Sequence, residues 1–103
     1  MFGRLVGVLY IDTPRWPAHG RLWAHLISDV SVTELHVFAE LLGVPRRAFE
    51  RDHYDVPAHR VQTAIWLGAS LVTGKEIVAR LKAAGLRRPR HLSESARPSR
   101  AVK

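Results

Sequence analysis

The run Leu5-Val6-Gly7-Val8-Leu9-Tyr10-Ile11 is apolar and partly β-branched, and Asp12 stops it abruptly. Such a run falls short of the roughly 10–12 residues of a buried helix, and far short of the ~18–20 of a membrane span. It therefore predicts a strand covered on both faces, the pattern of a parallel sheet. It does not read as a secretory signal, because no small-x-small cleavage site follows it.

The segments that follow predict an alternating order. Thr13-Pro14-Arg15-Trp16-Pro17 carries two prolines and reads as a loop leaving the strand. Gly20 to Ser28 reads as a short helix through Leu22, Trp23, Leu26 and Ile27. Ser31-Val32-Thr33-Glu34 is a capping box opening a helix whose core face is Leu35, Phe38, Ala39 and Leu42, closed by Gly43. Arg46 to Asp52 reads as a turn and His53 to Val56 as a short strand. Pro57 opens a helix to about Leu67, Ala69 to Val72 reads as a strand, and Thr73-Gly74-Lys75-Glu76 opens a last helix ending at Gly85. The expected fold is α/β: a small, mostly parallel sheet of two or three short strands packed with about four helices. In such sheets ligands lie beyond the carboxyl ends of the strands, which directs attention to Asp12 and Asp55.

A chain of 103 residues is one domain. Its net charge of +7 is uneven. Residues 1–86 hold 10 Lys/Arg against 8 Asp/Glu, whereas residues 87–103 hold 6 against one. The expected organisation is a globular domain over 1–86 and a basic, disordered tail over 87–103. Cysteine is absent, which excludes disulfides and thiolate metal sites and suits the cytoplasm.

Histidines and carboxylates concentrate in two places. His25 and Asp29 stand four apart, as do His36 and Glu40, and Asp52-His53-Tyr54-Asp55 packs three ionisable groups and a phenol into four residues. Imidazole with carboxylate is the donor set of a divalent metal site when no thiolate is available, and equally the apparatus of general acid–base catalysis. The candidates for catalysis are Asp12, His25, His53 and Asp55, and for metal ligation Asp12, His19, His25, His53 and Asp55. The spacings match no established ligand signature, so each residue also has a structural reading: Asp29 and Asp55 as helix caps, His53 and Tyr54 as a hydrogen-bonded pair. Trp16, between two prolines and beside Arg15, either stacks a base or plugs the core. Together with Arg46, Arg47 and Arg51, it and Arg15 are the candidates for nucleic-acid contact. No phosphate-cradling glycine loop and no nucleophile elbow is present.

Tyr10-Ile11-Asp12, His25-Leu26-Ile27-Ser28-Asp29, Glu34-Leu35-His36, Asp52-His53-Tyr54-Asp55 and Leu67-Gly68-Ala69 occur in this order. Together they resemble a small bacterial and phage family catalogued only as domain of unknown function 4031. The likeness spans about residues 6–86. It implies that Asp12, His25, Asp29, His36, His53, Tyr54 and Asp55 belong to a shared pattern, and it implies no activity. An Asp directly after the first strand also resembles the opening of PIN-type nucleases, whose further acidic residues have no counterpart here.

Two classes of function follow. One is a metal-dependent hydrolase or nuclease-like enzyme using a divalent cation at the His/Asp residues. The other is a non-catalytic module binding nucleic acid, a nucleotide or a protein. Neither involves a membrane.

Overall fold

The computed structural model of the protein describes residues 9–89. Expectations for residues 1–8, including the start of the first strand, and for 90–103 lie outside the described residues. The elements run β1 (Leu9–Ile11), β2 (Trp16–Ala18), β3 (Arg21–Ser28), α1 (Val32–Leu42), β4 (Phe49–Glu50), β5 (His53–Pro57), α2 (Ala58–Trp66), β6 (Ser70–Leu71) and α3 (Gly74–Ala83), with a 3₁₀ turn at Arg46–Ala48.

The sheet corrects the expected fold. Among the described residues it has six strands in the order β4-β5-β3-β1-β6, with β2 also paired to β3, and three helices are packed on it. Among the described pairings β1–β6 is parallel, while β1–β3, β2–β3, β3–β5 and β4–β5 are antiparallel. The difference begins at Gly20–Ser28, where Arg21–Ser28 forms the strand β3 and not a helix. Ala24 and Leu26 face one side, and Trp23, His25 and Ile27 the other. Because both faces carry apolar residues, the period of two is hidden, and the 22, 23, 26, 27 spacing imitates a helix. The turn into β3 is His19-Gly20, with φ of 52° and 76°. Two left-handed residues in a two-residue loop make the hairpin turn that matches strand twist, here without the usual Asn-Gly or Asp-Gly signature. A hairpin this short forces antiparallel pairing, so no crossover helix separates the first strands.

One irregularity shapes the site. β1 pairs Ile11 with Leu26, and β2 pairs Trp16 with Trp23. Five steps along the first segment are thus matched by three along β3, leaving two residues unmatched. Asp12 N–H still donates to His25 O (3.2 Å) and Arg15 N–H to Trp23 O (3.0 Å), so Thr13 and Pro14 form the detour. This bulge turns the chain just after Asp12.

α1 and α3 begin where the capping boxes place them. Ser31 Oγ accepts from Glu34 N–H and Thr73 Oγ1 from Glu76 N–H, each at 3.1 Å. Gly43 closes α1 at φ 83°. α1 and α2 cover one face of the sheet, enclosing Leu9, Ile11, Leu26, Leu35, Phe38, Tyr54 and Val56. α3 covers the other face over Tyr10 and Ile27 through Ile77 and Leu81. That helix reaches only part of its face. The rest carries Trp16, Trp23, His25, His53 and Asp55, none of them in either core.

Candidate functional site

β3 and β5 lie side by side with His25 opposite Asp55, and strand alternation puts His53 on the same face. Asp12, across from His25 at the end of β1, reaches it twice: His25 N–H donates to Oδ1 at 2.7 Å, and His25 Nδ1 lies 2.9 Å from Oδ2. The Asp12 side chain is 8% exposed and the His25 side chain 35%, so a buried carboxylate holds a ring that still meets solvent. The other ring nitrogen of His25 has no hydrogen-bond partner among the described residues.

His53 is held in the same manner from the other side. Its Nδ1 lies 3.0 Å from Oδ1 of Asp52, whose side chain is fully buried. The second oxygen of Asp52 accepts from Arg88 N–H (3.0 Å) and Arg87 Nη1 (3.4 Å), tying the segment after α3 to the β4–β5 turn. His53 Nε2 lies 3.2 Å from Asp55 Oδ1, a buried atom whose contact is an ion pair without hydrogen-bond geometry. Burial alone would lower the His53 pKa, but the hydrogen bond to Asp52 and the contact with Asp55 outweigh it and raise it to about 9. Burial pushes the Asp52 pKa up, and His53, the Arg88 amide and Arg87 more than reverse this, so it lies below the usual carboxylate value.

The two imidazoles meet edge to face at 5.1 Å. A ring nitrogen of each and a carboxylate oxygen of Asp55 all lie within 4.8 Å of one another. Trp16 stacks on His25 (6.0 Å, 28°) and on Trp23 (6.0 Å, 23°), so the ring contacts run Trp23, Trp16, His25, His53.

Of the residues singled out in the sequence, Asp12, His25, His53 and Asp55 come together here. His19 sits in the β2–β3 turn, away from the convergence, and lines a groove that Asp55 also borders. Arg47 lines the same groove. Arg15 borders a separate hollow with Asp12 and Thr73, and Arg46 one beside His36 and Tyr54. Arg51 donates from Nη1 to Arg88 O at 3.4 Å. His36 Nδ1 lies 2.7 Å from Tyr54 Oη, and burial followed by nearby Arg46 holds its pKa below the usual histidine value. His25 does not pair with Asp29 along a helix. Sequence reasoning missed Trp23 and the anchoring role of Asp52. The first follows once β3 is read as a strand, and the second was available from its place beside His53.

Fold and site together define a mixed-sheet protein with helices on both faces and a carboxylate-braced histidine pair on the uncovered part of one. A family model described as protein of unknown function (DUF4031) matches residues 9–84, and the chain belongs to that family. No curated protein and no solved structure matches it. Among the described residues no helix is long and apolar enough to cross a membrane.

Proposed function

We propose that the chain is a divalent-metal protein, with His25, His53 and Asp55 as ligands and hydrolysis as its chemistry. One observation carries this reading: each imidazole has its Nδ1 against an inward-held carboxylate, Asp12 or Asp52, while ring nitrogens converge with Asp55. Carboxylate–imidazole–metal bracing of this kind fixes the tautomer and raises ligand basicity. With both Nδ1 atoms held, the Nε2 atoms are left to ligate. The three donor atoms, all within 4.8 Å of one another, are of the kind that would hold a divalent ion such as zinc.

Charge favours a cation over an anion at this point. Asp12, Asp52 and Asp55 outnumber the His53 imidazolium and Arg87, so the cluster is net negative. Three protein ligands leave coordination positions for water and substrate, the arrangement of catalytic rather than structural zinc. A bound divalent ion would supply a water acidified toward neutral pH.

A second reading rests on His53 itself. A ring with a carboxylate at each nitrogen is also what a structural imidazolium looks like, and it suits a non-catalytic cytoplasmic binding module. Calorimetry with Zn²⁺, Mn²⁺ and Co²⁺ separates the two. One-site binding lost in His25→Ala and Asp55→Asn supports the metal centre. Wild-type protein that binds none of the three ions makes the network structural.

A further inference from the structure

The face left open by α3 continues from Asp55 into a groove of about 510 Å³. This is within the range of small-molecule sites, roughly 300–1,000 Å³. Its walls include Trp16, Trp23, Arg21, Arg47, Arg60 and Asp55. Arg21 on β3 and Arg47 in the 3₁₀ turn are exposed, and neither has an ion-pair or hydrogen-bond partner among the described residues. Arg60 is spoken for in part, because its Nη1 donates to Leu42 O at the end of α1 (3.1 Å). The indoles are fixed. Trp23 Nε1 donates to Ala18 O at 2.9 Å, and Trp16 lies over both Trp23 and His25. Trp16 Nε1 is a buried donor without a partner.

These features ask for different things of a ligand. Unpaired guanidiniums call for an anion, best an oxyanion they can fork. The indoles call for a flat ring, since stacking on an aromatic face tolerates any base. A bare phosphate would leave the indoles unused, and an acidic peptide would offer no ring. Asp55 is the one residue common to groove and histidine cluster.

We infer that the groove binds a nucleoside phosphate, its base on Trp23 and along the edge of Trp16 and its phosphate between Arg21 and Arg47. The inference deepens the metal reading and rests on it for what happens to the phosphate, but binding in the groove does not need the metal. The same unit is offered by a free nucleotide and by a segment of single strand.

The test is indole fluorescence of the full chain titrated with AMP, with a short oligothymidylate and with inorganic phosphate, in EDTA and again with Mn²⁺. Saturable quenching by AMP or the oligonucleotide in EDTA is expected. Arg21→Ala/Arg47→Ala, which removes two exposed side chains, should weaken it by at least about tenfold and flatten its salt dependence. Trp16→Phe should weaken it less, and Trp16→Ala more, with melting curves checking that both variants fold. Tighter binding of the oligonucleotide identifies a strand as the source, and tighter binding of AMP a free nucleotide. Inorganic phosphate binding as well as AMP, or an unchanged double variant, overturns the inference. Failure of both nucleotide probes while Mn²⁺ still binds overturns it and leaves the metal reading standing. Nucleotide binding in a protein that takes up no metal does the reverse.

Discussion

One carboxylate holds both ends of His25: Asp12 accepts the backbone N–H through Oδ1 at 2.7 Å and meets ring Nδ1 through Oδ2 at 2.9 Å. The contact is unusual for the sheet, because a side chain takes a place in the β1–β3 ladder next to the bulge.

Asp12→Asn should therefore separate bracing from folding. The amide oxygen can still accept one N–H, but the charge beside the ring is lost. Metal affinity is expected to drop about 10–100-fold, with a stability loss of about 1–2 kcal/mol. Calorimetry with Zn²⁺ and urea denaturation measure the two effects. An unchanged affinity would mean that His25 does not ligate.

His53 makes stability depend on pH on the alkaline side. Its folded pKa of about 9 lies above the ordinary 6.5, so its contribution is complete below 6.5 and is lost as pH rises through 9. That contribution is on the order of 2–3 kcal/mol. His53→Gln should lower stability at pH 6.5 and leave a flatter profile up to pH 9, read by urea midpoints across that window.

The same proton competes with metal. Zn²⁺ must displace it from His53, so affinity should rise with pH by up to about tenfold per unit between 6.5 and about 9. Proton release on binding, obtained from calorimetry in buffers of different ionisation enthalpy, should fall as pH approaches 9. Binding that releases no proton at pH 7 would exclude His53 from the ligand set.

Asp52→Ala removes a fully buried carboxylate that serves His53, Arg87 and the Arg88 amide. Leaving those donors unpaired should cost about 3–5 kcal/mol. It should also return the His53 titration, followed by NMR, toward or below 6.5, because burial then acts alone with Asp55. Retention of a value near 9 would mean that Asp55 is the dominant partner.

Gly43→Ala tests the close of α1. The residue sits at φ 83°, and a Cβ would stand 3.4 Å from Arg60 Nη1. About 1–2 kcal/mol should be lost from left-handed strain, since the Cβ would meet Arg60 only at ordinary contact distance and leave its bond to Leu42 O in place. A thermal melt is sufficient to check it.

Much of the local structure was legible in the chain. Ser31 and Thr73 announce their helices because capping is short-range chemistry, and Gly43 announces an end for the same reason. What could not be read was pairing. β3 carries apolar residues on both faces, and its turn uses His19 where Asn or Asp is usual. The direction of the sheet therefore stayed hidden, and with it the partner of His25. His19 stood out with Asp12, His25, His53 and Asp55 as a local enrichment of imidazole and carboxylate, yet it lies in the β2–β3 turn away from the other four. Their mutual bracing depends on strands that meet only in three dimensions.

The detour at Thr13 and Pro14 has a consequence for how the family can vary in length. Two is an even number, and a strand alternates its faces in twos, so the offset between β1 and β2 leaves Tyr10, Asp12 and Trp16 on one side of the sheet. An insertion or deletion of one residue there would send Trp16 to the helix-covered face and dismantle the run of ring contacts. Relatives that keep the site should therefore change length at this point by pairs, and an odd step should be accompanied by loss of the histidines.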